Sequence, residues 1–504
     1  GSIAAGHKTT VASARNILEC GGNAFDAAVG AVFTSMTSEF ALTGAAGGGA
    51  MMVKTVDDDP VLYDFFVDTP NLKSDKEIEF FKATIDFGNS TQHFHIGKGS
   101  VAVPGNLAGL VTVQKELGKL PLSAVLEPGI YLSRSGCKIN KEQAYIFKIL
   151  KPIFCYSLDT KKLLCKDGRS LVEGDIFVNT DFANFLERVS NEGIDFFYMG
   201  EIAEVIEKNL DDGGLVDYNS LKNYKVITRT PVCTNFQGVE VFSNPPPSAG
   251  GNLIIFLLRL LQESGKNKFQ VSNLIDAMSL TNIARQEICT DPNDDLQYSQ
   301  LLEDETFKQY LDVFSKSKLP VDKSDNLPDR GCTTHVSVMD KEGNCASVTT
   351  SNGEGSGYII PGTGIMLNNM LGEEDLNPQG FHNWGLTRRL ATMMSPSIVI
   401  QDGKPKMIIG SGGSNRIRSA MVQVLINYIV RGMSLEKSIE APRIHLEGNQ
   451  LYYEPGIIIP EDNSTNKYLF SPFDEKNLFF GGVNAVTISE GFSDSRRGGT
   501  FQVV

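Results

Sequence analysis

One stretch constrains this 504-residue chain more than any other: Gly331-Cys332-Thr333-Thr334-His335-Val336-Ser337-Val338-Met339-Asp340-Lys341-Glu342-Gly343-Asn344. Val336 and Val338 alternate with polar residues, which is the period of a half-buried strand. Lys341-Glu342-Gly343 fits a three-residue hairpin loop with glycine at the left-handed position. The chain returns as Cys345–Ser351, rich in strand formers. If Asp340 pairs with Asn344, Thr333 falls opposite Ser351, and a one-residue slip would turn that side chain to the other face. A strand that opens on a hydroxyl residue places Thr333 where internal cleavage would make it a chain's first residue. An N-terminal threonine carries nucleophile and base together, because its α-amine titrates near ~7.7–8 and can take the hydroxyl proton. The pattern points to a self-processed amide hydrolase or acyl transferase; the plain alternative is an ordinary surface hairpin.

A second element bears on the same chemistry. Lys406-Met407-Ile408-Ile409 reads as a short buried strand running into Gly410-Ser411-Gly412-Gly413-Ser414. A helical pattern with Ile417, Met421, Val422 and Leu425 follows. A glycine-rich turn between strand and helix aims successive backbone N–H groups from the positive end of the helix. Such donors can stabilise the oxyanion of a tetrahedral intermediate. A phosphate-binding turn or a plain loop would look similar, but no Gly-Lys-Ser/Thr ending follows, which argues against a P-loop.

Further motifs stand in order along the chain: Gly21-Gly22-Asn23-Ala24-Phe25-Asp26-Ala27-Ala28-Val29, Gly47-Gly48-Gly49, Val103-Pro104-Gly105, and Pro245-Pro246-Pro247-Ser248-Ala249-Gly250-Gly251. After Thr333-Thr334-His335-x-Ser337-Val338 come Gly364-Ile365-Met366-Leu367-Asn368-Asn369, Met394-Ser395-Pro396-Ser397 and Ala441-Pro442-Arg443. With these motifs the chain resembles, nearly end to end, the gamma-glutamyltranspeptidase family of N-terminal-nucleophile hydrolases.

The resemblance implies an α/β (α+β) fold of the four-layer αββα sandwich type. It implies a cut between Cys332 and Thr333, giving segments 1–332 and 333–504 that stay intertwined in one structural domain. Thr333 would attack a small-molecule amide with its own amine as base and Ser351 as matched neighbour. Backbone N–H groups of Gly413 and Ser414 would hold the oxyanion. The family's Pro-Gly-Gly is altered here, so Gly412 and Gly413 are the other possible pair. Water or an acceptor amine would resolve the acyl-enzyme, with no metal or organic cofactor.

Departures from the family pattern concern recognition of the substrate. Glutamyl-specific members carry an arginine for the substrate α-carboxylate in a segment that reads here Asp64-Phe65-Phe66-Val67-Asp68-Thr69-Pro70, so Phe66 stands at the arginine position. Phenylalanine cannot make an arginine's bidentate, charge-assisted bonds. The family's paired serines appear as Thr392 and Met393, its asparagine as Gly353, and its glutamine as Met370, while Glu373 keeps an acidic contact for a substrate ammonium. Losing one buried partner of a charged ligand costs about 2–5 kcal/mol. Weak glutathione hydrolysis at best is therefore expected, with a smaller or more apolar acyl group as competitor. The family includes members acting on cephalosporin side chains and on small amides such as oxamate. Three readings follow: an amidase with altered acyl specificity, a true glutathione hydrolase or transpeptidase, and a binding-only descendant.

Composition narrows the partners. The length alone would suggest about three domains, against the single domain the resemblance implies. A net charge of −14 without a long basic cluster argues against nucleic acid and anionic membranes. The longest apolar run, Leu253–Leu258, is interrupted by Arg259, is too short for a span, and has helical core spacing. No signal peptide is visible, which weighs little for a chain that starts at Gly1. Eight cysteines without a C-x-x-C spacing suit a reducing compartment, so a cytoplasmic location is favoured over a periplasmic or secreted one.

His93-x-His95 could share one strand face as metal ligands, but no further ligand stands near, so no metal site is expected. His335 reads as structural, since the amine supplies the base. Asn23 suits an N-cap and Asp26 a first helical turn, followed by a small-residue stripe at Ala24, Ala27, Ala28, Ala31 and Val32. Thr160–Gly213 reads as charged, loop-rich and peripheral, with a helix near Phe182–Asn191. Ser315–Arg330 reads as a polar lead-in to Thr333.

Overall fold

A computed structural model of the chain describes residues 1–71, 77–86, 91–264, 269–291, 294–316, 332–460 and 465–504. Thirteen strands build the two principal sheets. Along the chain they are β1 (Ser2–Ala5), β2 (Gly48–Lys54), β3 (Val61–Phe65), β4 (Ile227–Arg229), β5 (Val232–Phe236), β6 (Val239–Ser243) and β7 (Thr334–Met339). They continue as β8 (Cys345–Ser351), β9 (Ser397–Gln401), β10 (Lys404–Gly412), β11 (Gly482–Val486), β12 (Gly491–Ser493) and β13 (Thr500–Val503). The first sheet has the order β4-β3-β2-β8-β7-β1-β13 and the second β5-β6-β9-β10-β11-β12. Each draws strands from both sides of Thr333.

Helices cover the outer faces. Over the first sheet lie α1 (Lys8–Glu19), α2 (Ala24–Ser38), α3 (Asn106–Leu117), α4 (Leu122–Ser135) and α5 (Thr180–Glu192), sharing a core with Val336, Val338 and Val348. Over the second lie α6 (Gly250–Glu263), α7 (Val271–Ile288) and α8 (Arg416–Leu425), packed on Val399, Met407, Ile409 and Val483. A third apolar cluster, including Ala4, Met52, Met339, Ile398, Ile408 and Val486, joins the two sheets. The fold is a four-layer αββα sandwich.

Local signals explain the start of α2. Asn23 accepts from the N–H groups of Phe25 and Asp26, and Asp26 accepts from Asn23 N, a complete capping box. The small-residue stripe is buried, and so is every other residue of α2. Asp340 Oδ2 also accepts from Ala24 N at 3.0 Å, tying the helix to the β7–β8 hairpin.

The structure revises five expectations. β7 is buried on both faces rather than half-buried. Its valines face helices, and His335 and Ser337 face the second sheet, where Ser337 Oγ donates to Asn484 O at 3.1 Å. β10 runs through Gly410, Ser411 and Gly412 to pair with β11, so the turn begins only at Gly413. These glycines serve close approach: a Cβ on Gly410 would lie 2.1 Å from the His335 ring, and one on Gly412 would lie 2.1 Å from Thr333 O. Thr160–Gly213 is not peripheral, since α5 and the aromatics Phe196, Phe197 and Tyr198 enter the first core. Cys155 and Cys165 form a disulfide that spacing did not single out, while the other six cysteines are not disulfide-bonded. Ser315 ends a helix (Asp304–Ser315), and the rest of the expected lead-in, from 317 to 330, lies outside the described residues. Among the described residues no helix is long and apolar enough to cross a membrane.

Candidate active site

The hairpin fixes the register at Thr333. Asp340 N donates to Asn344 O at 3.0 Å, Gly343 has φ +97°, and Thr334 pairs with Thr350. One step further, the buried Thr333 comes opposite Ser351. Ser351 Oγ donates to the carbonyl oxygen of Cys332 at 2.5 Å and accepts from Gly353 N at 2.9 Å. The hydroxyl thus sits on the carbonyl of the Cys332–Thr333 peptide bond.

Other groups, unannounced by the sequence, close around this bond. Cys332 N donates to Glu354 Oε1 at 3.3 Å, and the Cys332 side chain is buried in a cluster with Phe40, Leu42, Phe147 and Phe154. Arg497 Nη1 donates to Thr333 O at 3.2 Å. Thr334 Oγ1 donates to Glu39 Oε1 at 2.7 Å. Burial pushes the Glu39 carboxyl up to about 7, against the hydrogen bonds from Thr334 and Thr10 that lower it. Burial likewise pushes Glu354 up to about 8, opposed by Asn369 and the Cys332 N–H. A cavity of about 380 Å³ reaches Cys332 and Arg497, bordered by Leu42, Ile146 and Leu478.

The glycine turn lies alongside. Gly412 stands against Thr333 O, and Gly413 and Ser414 follow with φ +121° and +50°. The N–H groups of Gly413 and Ser414 make no hydrogen bond to the described residues. Asp375 braces the turn by accepting from Ser414 Oγ and from Asn415 Nδ2 at 2.5 Å. Beyond Asn415 opens a cavity of about 660 Å³ lined by Arg285, Arg418, Glu447 and Phe381. His335 is buried between the sheets, 2.7 Å from Thr349 Oγ1 and 2.9 Å from Ser337 Oγ, and burial pushes its imidazole down to about 3.

The residues at the expected recognition positions fall into two groups. Phe66 and Met370 meet in one apolar cluster with Val67, Leu371, Leu390 and Met394. Met393 does not join them, because its side chain enters the core beneath the second sheet, and Met394 takes the place beside Phe66. Thr392 is buried, and its carbonyl accepts from Ala249 N and Gly250 N. Gly353 has φ +61°, and a Cβ there would lie 2.1 Å from Asn369 Oδ1 and 2.4 Å from Glu373 Oε1, so these three residues stand together. Arg389, which reaches the carboxylates on either side of Phe66, is committed: it bonds Asp64 Oδ1, Asp68 Oδ1 and the carbonyls of Asp64 and Lys225 at 2.6–2.7 Å. His95 stacks on Phe80 with ring centroids 4.7 Å apart, and no group of three or more metal-ligating side chains occurs among the described residues.

The sequence model of the gamma-glutamyltranspeptidase family matches residues 10–504. The chain belongs to that family. It is 30% identical over 482 residues to the glutathione hydrolase proenzyme of Escherichia coli (strain K12), covering 88% of this chain and 80% of the relative. It is 28% identical over 475 residues to the acylase ACY 1 proenzyme of Pseudomonas sp. (strain SE83), covering 91% and 84%. Cephalosporin acylase from Bacillus halodurans superposes with a TM-score of 0.85 at 22% identity, covering 99% of this chain and 95% of that one. Helicobacter pylori gamma-glutamyltranspeptidase gives 0.54 at 27% identity, covering 61% and 90%. As a gamma-glutamyltranspeptidase-family member, the chain is an enzyme of the amidohydrolase and acyltransferase type.

Proposed function

We propose that Thr333 becomes an N-terminal nucleophile by cleavage of the Cys332–Thr333 bond and then turns over a small amide whose acyl group is not gamma-glutamyl. The observation that carries the first half is the 2.5 Å hydrogen bond from Ser351 Oγ to the Cys332 carbonyl. A donor on that oxygen polarises the carbonyl for attack by the adjacent threonine hydroxyl. In the mature enzyme the freed α-amine of Thr333 serves as base, Ser351 holds the nucleophile, and the N–H groups of Gly413 and Ser414 take the oxyanion. Water or an acceptor amine then releases the acyl group. Segments 1–332 and 333–504 become the two subunits.

Three observations support the altered specificity. Phe66, Met370 and Met394 pack on one another. Arg389 is spent on Asp64 and Asp68. Gly353 offers no side chain beside Glu373. A gamma-glutamyl preference remains the second reading, favoured by the 30% identity to a glutathione hydrolase proenzyme.

Intact mass under denaturing conditions, followed by a panel of gamma-glutamyl and simple acyl anilides, tests both halves. Two fragments meeting at Cys332 and Thr333, none from Thr333→Ala, and faster turnover of a simple acyl anilide are expected. Rapid turnover of the gamma-glutamyl compound sinks the specificity half. A chain that stays whole, or an active Thr333→Ala variant, sinks the nucleophile.

A further inference from the structure

Cys332 is held at three points. Its carbonyl oxygen accepts from Ser351 Oγ at 2.5 Å, its side chain is buried in the Phe40–Phe147–Phe154 cluster, and its N–H donates to Glu354 Oε1 at 3.3 Å. Glu354 is itself braced. Asn369 Nδ2 donates to its Oε2 at 3.4 Å, and Asn369 Oδ1 accepts from Glu354 N at 2.8 Å and Gly355 N at 3.1 Å. The carboxyl is buried, one residue past Gly353 and three past the end of β8, so its position is set by the strand that also carries Ser351. A buried carboxyl needs a partner to offset its desolvation. Here a main partner is the backbone of the residue whose carbonyl carbon is to be attacked.

We propose that Glu354 is a positioning residue for self-cleavage, fixing Cys332 through its N–H so that its carbonyl carbon faces the Thr333 hydroxyl; this rests on cleavage at Cys332–Thr333. Thr333 Oγ1 attacks the Cys332 carbonyl carbon, the C–N bond breaks, and the nitrogen takes the hydroxyl proton, giving an ester between the Cys332 acyl group and Thr333. One water then hydrolyses the ester, leaving a Cys332 carboxylate and a Thr333 with free hydroxyl and amine. The first step needs the hydroxyl oxygen about 3–3.5 Å from the carbon along a defined line, and a displacement of about 1 Å costs on the order of a hundredfold in rate. Ser351 holds the carbonyl end and the apolar cluster holds the side chain; the Glu354 contact fixes the N–H end that these two leave free.

The experiment follows the full-length chain and its variants by intact mass from freshly purified precursor, with and without hydroxylamine, which cleaves an accumulated ester. Glu354→Gln keeps an acceptor oxygen at the same reach and is expected to cleave within about fivefold of the unsubstituted rate. Glu354→Asp keeps the charge but withdraws the carboxylate by one methylene; it and Glu354→Ala are expected to cleave about 10–100-fold more slowly, with hydroxylamine giving no acceleration. A role resting on charge would spare Asp and not Gln, the reverse order. Unslowed cleavage of Glu354→Asp or Glu354→Ala overturns the proposal. So does a Glu354→Gln variant as slow as Glu354→Asp, or hydroxylamine restoring the slow variants. If Glu354→Ala does not fold, the Asp and Gln pair decides. An unsubstituted chain that stays whole overturns the cleavage reading itself, a result distinct from all of these.

Discussion

Phe66 is the residue on which the proposed separation of recognition from reaction turns. Its ring is buried against Met370, Leu371, Leu390 and Met394, and the neighbouring carboxylates Asp64 and Asp68 already hold Arg389. Phe66→Arg would therefore bury a guanidinium in an apolar cluster, at a cost of about 3–5 kcal/mol. Denaturant unfolding is expected to show that loss, with no rise in kcat/KM for a gamma-glutamyl anilide; a tenfold rise would show that the glutamyl pocket is latent. His335 gives a second residue-scale outcome. Burial holds its imidazole near 3, against the usual 6.5, so the unfolded chain binds more protons between those values. Its contribution to stability is full above about pH 6.5 and is lost as pH falls toward 3, at up to about 1.4 kcal/mol per pH unit. His7, pushed down to about 4 by burial and Lys8, acts in the same window. Unfolding midpoints should fall across that range, and His335→Gln should flatten the slope. The residues at the Cys332–Thr333 bond were legible unevenly. Ser351 follows from hairpin arithmetic, but Glu354, Arg497 and Glu39 arrive by tertiary contact and carry no local pattern.

At the scale of elements, the hairpin and the glycine turn differ in how the sequence revealed them. The β7–β8 register was readable because Asp340, Gly343 and Asn344 dictate a turn, and period-2 alternation does the rest. The extent of β10 was not, because glycines suggest a loop unless a facing sheet demands their lack of a side chain. Gly410 meets that demand: a Cβ there would strike the His335 ring. Gly410→Ala is expected to destabilise the fold by about 1–3 kcal/mol, as overpacking does, read by guanidinium unfolding. A stability equal to that of the unsubstituted chain would show that the sheets can separate slightly to admit a methyl group. Thr160–Gly213 misled for a related reason, since its charged residues are on the surface of α5 while Phe182, Phe185 and Leu186 face inward. Its apolar stripe, at helical spacing, carried more weight than its composition.

At the scale of the molecule, the two principal sheets are shared between the segments before and after Thr333. β8 lies between β2 and β7, and β1 lies between β7 and β13. A cut at Thr333 would sever the backbone while leaving these ladders and three apolar cores in place. Cleaved protein is therefore expected to elute as one particle in size-exclusion chromatography and to separate only in denaturant; separate elution in plain buffer would contradict this interlocked topology.

The pairing of β1 with both β7 and β13 also orders events in time. The strand that follows Thr333 borrows its neighbour from Ser2–Ala5, made well before it, and that neighbour is closed on its far side by Thr500–Val503, made well after it. Arg497 and Gly412, which meet the Thr333 carbonyl, likewise emerge after it. On a ribosome, Thr333 would be synthesised into surroundings that lack these contacts, and a break then would cast loose an incomplete half. Because these partners lie downstream of Thr333, its surroundings can assemble only once synthesis has passed Arg497, and the topology would then act as a timer.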